Sequence, residues 1–334
     1  MHTESFADRS LDLKRGPAAT STADLGGPPS LVLDCPIMIG RLERLISAAA
    51  GCGAMLVCAE DCHMTTAFVF TPTATTVRKS ADGAMLYTGP LAINIDGAPN
   101  AYHPMGKPAG ARDSICNGAN AILPDGSKLR GDKNCGEFLK AFAEARDSGW
   151  TAEGKPRVEW FGVANKGDAA PARFQPCVQE SGPFQGFFVS TTALTADPGK
   201  GRCDPERYVN PYTVPYFVLP ANSAFLKLAM KKGDIAVAVL NDKPVFAVYA
   251  DVGPPDKLGE GSLALSRLLK GQPLVAEPSQ QDIKTAPIGS GVSFLMFPGP
   301  PIGAPYTLER ISEKGRDKFQ AWGGLERLKA CLAR

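Results

Sequence analysis

The chain is expected to fold as a mixed, β-rich protein: a barrel-like β core with several peripheral helices. Three observations predict this. Short apolar runs bounded by turn residues dominate the second half, as at 235–240 and 245–250. Thirty-five glycines and twenty-nine prolines in 334 residues supply turns for many short strands. Segments with helical apolar spacing are few. The length is enough to bury one large core or two smaller ones. A hydrophobic content of 44% with 21% charged residues is ordinary for a soluble globular chain. No apolar run is long enough to cross a bilayer, so membrane insertion is not expected.

Residues 1–30, rich in Ser, Thr, Gly, Pro and mixed charge, read as a flexible lead without the apolar segment of a Sec signal peptide. Residues 31–80 form a Cys-rich helix and strand segment, either an accessory unit or packed on the core, with a boundary near 80. Its helix is expected over 36–50, where Ile37, Ile39, Leu42, Leu45 and Ile46 share a side, and its strands at 54–58 and 67–70. Residues 81–334 form the main domain. There, Asp96-Gly97 predicts a hairpin turn between 91–95 and 98–102. A helix is expected over 133–147 with Phe138, Leu139, Phe142 and Ala143 inward. The apolar runs 235–240 and 245–250 flank Asn241-Asp242-Lys243-Pro244, a strand pair about a tight turn. Gly253, Pro254 and Pro255 end regular structure soon after. Gly259-Glu260-Gly261-Ser262 then opens a helix with 264, 265, 268 and 269 on its apolar face. The stretch 307–332 is a helix or helix pair around Gly315 and Gly323-Gly324.

Nine cysteines, at 35, 52, 58, 62, 116, 135, 177, 203 and 331, exceed what a cytosolic chain ordinarily carries. They predict bridges made in an oxidising place, with Cys116–Cys135 and Cys177–Cys203 as candidates and, nine being odd, at least one thiol left free or paired between chains. The expected localisation is therefore secreted or periplasmic, by a route other than a visible Sec signal. Cys58-Ala-Glu-Asp-Cys62-His63 has no second matching pair, so no metal is expected there, and no cofactor elsewhere.

Thirty-six basic and thirty-four acidic residues give a net charge of +2. No basic cluster carries interleaved aromatics, which argues against nucleic acid as a partner. Three histidines and no Gly-x-Ser-x-Gly elbow at a strand-to-helix turn argue against a serine triad. What stands out is a carboxylate pair. Asp251 is expected where a buried strand ends, and Glu260 where a short helix opens, on either side of one loop. Two carboxylates so held are what hydrolysis of a glycosidic bond requires.

Four further segments accompany that pair in order: 91–104 (LAINIDGAPNAYHP), 186–194 (GFFVSTTAL), 207–220 (RYVNPYTVPYFVLP) and 292–299 (VSFLMFPG). Together with 235–265 they resemble the fungal-type chitosanases of glycoside hydrolase family 75 and their bacterial relatives, over roughly residues 85–300 as separated motifs. The resemblance implies inverting hydrolysis of a β-1,4-linked amino-sugar polymer by Asp251 and Glu260. A carboxyl separation of about 6.5–9.5 Å would then leave room for the attacking water. Which is acid and which base stays open. A helix N-terminus beside Glu260 would favour its anion and a base; burial beside Leu258 and Leu263 would favour an acid. A double-psi barrel is the specific fold expectation, by analogy with other inverting glycan hydrolases.

Tyr102, His103, Tyr216, Ser190 and Thr192 are the candidate substrate contacts, tyrosine faces for sugar rings and hydroxyls for sugar hydroxyls. Of Tyr208, Tyr212 and Tyr216, at least one is expected in a cleft. Asp96 reads as a turn residue before a sugar contact, and Asp256 as a solvated spare carboxylate. The substrate is chitosan-like or the glycan of peptidoglycan; near-neutral charge discounts a polycation. A muramidase-type secreted antibacterial effector, with a delivery protein and an immunity protein as partners, is one rival. A non-catalytic carbohydrate-binding module of the same fold is another.

Overall fold

The computed structural model describes residues 62–333. The lead, the 36–50 helix, the 54–58 strand and Cys35, Cys52 and Cys58 lie outside the described residues. In chain order the strands are β1 (Met64–Phe70), β2 (Thr75–Ser80), β3 (Met85–Asn94), β4 (Ala119–Ile122), β5 (Lys128–Arg130), β6 (Arg157–Trp160), β7 (Tyr216–Pro220), β8 (Ile235–Leu240), β9 (Lys243–Gly253), β10 (Glu260–Ser262) and β11 (Ile288–Phe297). The helices are α1 (Cys135–Asp147), α2 (Ser223–Leu226), α3 (Leu263–Leu269), α4 (Gln280–Thr285), α5 (Leu308–Ala321) and α6 (Gly324–Leu332).

The core is a closed mixed barrel of six strands in the order β3-β10-β7-β9-β8-β11, with β11 returning to pair with β3. The β3/β10 and β7/β9 pairs are parallel and the others antiparallel. Closure leaves the barrel strands no free edge. The expectation of a β-rich barrel-like core with peripheral helices holds. Its central strands are covered on both faces, which is why they read as unbroken apolar runs rather than alternating ones. Phe217, Leu219, Tyr249 and Phe294 pack on one side of the wall with Leu265 and Leu269 of α3. Tyr216, Val218, Val237 and Val248 pack on the other with Ile311 and Phe319 of α5, Trp322 just after it and Leu328 of α6. Asn241 and Asp242 hold φ of 49° and 60°, the left-handed pair of a two-residue hairpin turn between β8 and β9. β1 and β2 continue the sheet outward from β3 through antiparallel pairing, so no break in the sheet falls at residue 80.

A second sheet, β5-β4-β6, arises between β3 and β7 and packs on α1. Its core is aromatic: Trp160 meets both Trp150 and Phe188 edge-on at 5.4 Å between ring centroids. α1 buries Phe138, Ala141, Phe142 and Ala145, a helical stripe, whereas Leu139 falls just off it and is exposed, contrary to expectation. The 91–102 hairpin is also corrected. The Asp96-Gly97 turn forms, with Ala98 N–H donating to Ile95 O at 3.0 Å and Gly97 at φ +86°. The chain after it does not return as a strand. Ala98, Ala101 and Tyr102 are buried instead in the core of the second sheet, and β3 takes β11 and β10 as partners. At the C-terminus the helices break at Gly323-Gly324, with Gly315 inside α5.

Both expected bridges, Cys116–Cys135 and Cys177–Cys203, are present, and a third, Cys62–Cys331, spans 269 positions of sequence. Three bridges fit maturation in an oxidising compartment. Among the described residues no helix is long and apolar enough to cross a membrane.

Candidate active site

β7 lies between β9 and β10, and its Val218 is the register partner of both Asp251 and Glu260. Two inter-strand steps put the two Cα atoms about 10 Å apart on one stretch of barrel wall. The register carries an irregularity at this point. Phe217 pairs with Tyr249 but Val218 pairs with Asp251, leaving Ala250 as the extra residue of a bulge. In an unbulged strand Ala250 would oppose Val218, and Asp251 would face the other side of the wall. The bulge therefore re-aims Asp251 to the side that Glu260 takes.

Glu260 is not in a helical turn, as the sequence led us to expect, but in β10. Ser262 caps α3 instead, its Oγ accepting Leu265 N–H at 3.1 Å and Tyr216 N–H at 2.9 Å. The helix so begins at Leu263, and residues 260–262 are held as strand between β3 and β7. This removes the helix-dipole argument for a Glu260 anion. Gly253, two residues beyond Asp251, makes room for the Glu260 side chain: a Cβ there would sit well inside contact distance of Oε2 and 3.0 Å from Val218 Cγ1.

A cleft of about 600 Å³ opens between this wall and the second sheet. Asn94, Asp96, Gly253 and Glu260 line one side; Asn120, Arg130 and Phe161 line the other. This volume suits one or a few sugar rings. Glu260 faces it with its side chain 13% exposed and Lys257 Nζ 4.0 Å from Oε1. Glu260 Oε2 receives no hydrogen bond from the described residues. Asp251 lies behind the lining surface, 7% exposed. Its Oδ1 accepts Ala193 N–H at 2.9 Å, and its Oδ2 faces the Asn94 amide at 3.4 Å. Asn94 is itself oriented, since its Oδ1 accepts Tyr216 O–H and Asp96 N–H, both at 2.8 Å, which turns its Nδ2 toward Asp251.

Burial dominates the electrostatics. It raises Asp251 to about 7, assisted by the negative Glu260 and opposed by the N–H groups of Ala193, Val252 and Asn94. Glu260 is raised by burial too, with Lys257 pulling down and Asp256 pushing up. Asp96 is held well above the carboxylate range by burial and then by Asp251, with the Tyr102 hydroxyl opposing and Asp113 and Glu260 adding to the rise. Among the described residues no group of three or more His, Cys, Asp and Glu side chains is placed to hold a metal ion.

The remaining candidates divide clearly. Tyr216 and Tyr102 are buried and offer no ring face to a sugar; their hydroxyls serve the cleft floor, Tyr102 O–H donating to Asp96 Oδ1 at 2.8 Å. Tyr212 is buried as well, its hydroxyl on Asn100. Tyr208 lines a separate, largely apolar hollow with Tyr306. Ser190 and Thr192 are buried and bonded to backbone only: Ser190 between Gly97 N–H and Gly162 O, Thr192 between Val209 N–H and Leu194 O. His103 packs edge-on against Phe187 at 4.8 Å, its Nδ1 accepting Met105 N–H, away from the cleft lining. Asp256 is solvated at a loop tip.

Two contributors were not foreseen. Phe161 is 54% exposed in the cleft, the only large aromatic face offered there among the described residues. The signal was its place beside Trp160, whose burial at a strand end sends the next side chain outward. Asn94 has the same kind of signal, two positions before Asp-Gly at the end of β3. No protein-family model and no curated protein sequence matches the chain.

Proposed function

We propose that the protein is an inverting glycoside hydrolase that cuts β-1,4 bonds of an amino-sugar polysaccharide, with Asp251 as proton donor and Glu260 as general base. The single observation that supports this best is the pairing of both carboxylates with Val218, one bulge bringing them to one side of a wall that ends in a ring-sized cleft. They are also the two residues singled out by the resemblance to family 75. A Cα separation of about 10 Å suits carboxyl groups set wide enough for a water between one of them and the sugar. Phe161 offers a face for the C–H side of a pyranose.

The assignment of roles follows proton affinity. Asp251, deeply buried and raised to about 7, is held in its acid form and donates its proton to the leaving oxygen as the C1–O bond breaks. Glu260 faces the cleft beside the Lys257 cation, which opposes the rise that burial brings, and takes a proton from the water attacking C1 from the opposite face. The cycle closes when Asp251 regains and Glu260 releases a proton to solvent. An oxidising, secreted or periplasmic setting accords with the three bridges and with a polymer met outside the cytosol.

The test is to incubate the protein separately with chitosan and with purified peptidoglycan and identify new ends by mass. New reducing ends on one polymer, absent with Glu260→Gln, are expected. If neither polymer is cut, the fold is a binding module and the hydrolase reading is lost.

A further inference from the structure

The loop 254–259 leaves β9 soon after Asp251 and enters β10 at Glu260, so it hangs between the two candidate catalytic carboxylates. Pro254 and Pro255 stiffen it, buried Leu258 anchors it, and Lys257 N–H turns back to Pro254 O at 3.2 Å. Asp256 stands at its tip, about half exposed, with Oδ2 3.9 Å from Lys133 Nζ. Lys133 belongs to the other side of the cleft, in the turn between β5 and α1. That turn is held firmly. The N–H groups of Lys133 and Asn134 both reach Arg130 O, and α1 opens on Cys135, which is bridged to Cys116.

The pair joins the two walls of the cleft. Pro255 and Lys257, on either side of Asp256, line the cleft from the barrel; Asp132, next to Lys133, lines it from the second sheet. Among the described residues this is the one ion pair between the loop 254–259 and the second-sheet side. Lys133 Nζ lies at the same 3.9 Å from Asp132 Oδ2 on its own wall. It therefore has an acid partner whether the contact across the cleft is made or released. Both side chains stand in water, so the pair is weak and screened by salt. Such a contact does little to hold a fold together, but it can open and shut readily.

We propose that Lys133 and Asp256 form a clasp across the cleft, which opens to admit a glycan strand and then retains a long strand between cuts. The clasp rests on the hydrolase reading for its purpose, whereas retention of a strand is measurable without cleavage. A strand lying beneath the pair leaves by sliding out lengthwise or by the pair opening. Sliding is quick for a short oligomer and slow for a long strand. The clasp thus favours polymer over oligomer.

The experiment measures the dissociation rates of fluorescently end-labelled chitosan and peptidoglycan glycan strands, long and short, in the Glu260→Gln background, where strands stay whole. K133E, D256K and the double variant K133E/D256K are compared. Both singles should release long strands roughly two- to fivefold faster, the worth of one exposed ion pair. The double variant, with the charges exchanged, should restore slow release, and short oligomers should show no such acceleration. Plain attraction or repulsion of a charged polymer would instead send the two singles in opposite directions, since one adds negative charge and the other positive. Opposite changes, or none, overturn the clasp even if the protein cleaves glycan. Faster release from both singles, restored in the double, in a protein that cuts neither polymer upholds the clasp and sinks the hydrolase reading. If no long strand of either polymer binds, both are lost.

Discussion

Ser190 lies in the loop whose Ala193 N–H bonds Asp251 of the barrel wall, and both side chains are closed to solvent. Ser190 and Thr192 spend every hydrogen bond on backbone groups of adjacent loops. The 251–260 region does the reverse. Asp251 carries a charge-bearing group into the wall, and Glu260 Oε2 has no hydrogen-bond donor among the described residues. Satisfied buried hydroxyls hold a fold together, while an ionisable carboxyl carried into a low-dielectric wall, as Asp251 is even with its N–H partners, is costly and marks a candidate for function. The contrast separates the hydroxyls, which the sequence offers as sugar contacts, from the carboxylates, which it offers as catalysts.

The largest effect expected is on the carboxylate side. Asp251→Asn and Glu260→Gln should each lower kcat by roughly 10²–10⁴-fold, the usual worth of a general acid or base. The double variant should be little worse than the weaker single, because the two serve one displacement. Near wild-type rates in both singles would erase the distinction between the two regions. A sharper form uses Gly253→Ala, which keeps both carboxyl groups in the chain but pushes Glu260 from the space it occupies. It should lose activity at least tenfold with the fold kept, a positional effect of the kind a small misplacement produces.

Stability should separate the regions in pH. An Asp raised to about 7 in the folded state, against an unfolded value near 4, contributes stability that is full below about pH 4 and lost as pH rises through about 7. Asp251→Asn removes that loss. Its stability relative to wild type should therefore improve between pH 4 and pH 8, by as much as about 4 kcal/mol. Urea unfolding at the two pH values reads this directly; a difference that is equal at both would mean Asp251 is not held in the acid form. Ser190→Ala should do the opposite, costing about 1–3 kcal/mol because Gly97 N–H loses its buried acceptor. Its activity per folded molecule should stay unchanged.

Much of this contrast was legible in the sequence, but not its cause. The strand pair, the Asn-Asp turn, both short-range bridges and the two carboxylates are written in local patterns. The bulge at Ala250 is not, since nothing in VFAVYAD distinguishes an extra residue from regular alternation. Glu260 looked helical because Ser262 and the 264–269 face are helical signals; only the pairing of 260–262 with two strands shows that the helix starts later. Tyr102 and Tyr216 looked like platforms because a tyrosine is the same in sequence whether its ring or its hydroxyl is used. Cys62–Cys331 joins sites that only the closed fold brings together.

The smallest effect concerns the opposite wall. Phe161→Ala should raise KM roughly two- to tenfold with kcat nearly kept, the loss of one aromatic contact of about 1 kcal/mol. An unchanged KM would place the sugar elsewhere along the cleft.

The most direct test of the central claim is real-time proton NMR of an amino-sugar oligomer during cleavage. Direct displacement by a water that Glu260 activates predicts that the newly released reducing ends appear first as the α-anomer and drift to the equilibrium mixture. First appearance as the β-anomer would contradict it, because retention needs two displacements, through a nucleophile on the enzyme or the sugar's own acetamido group, rather than one direct attack by water.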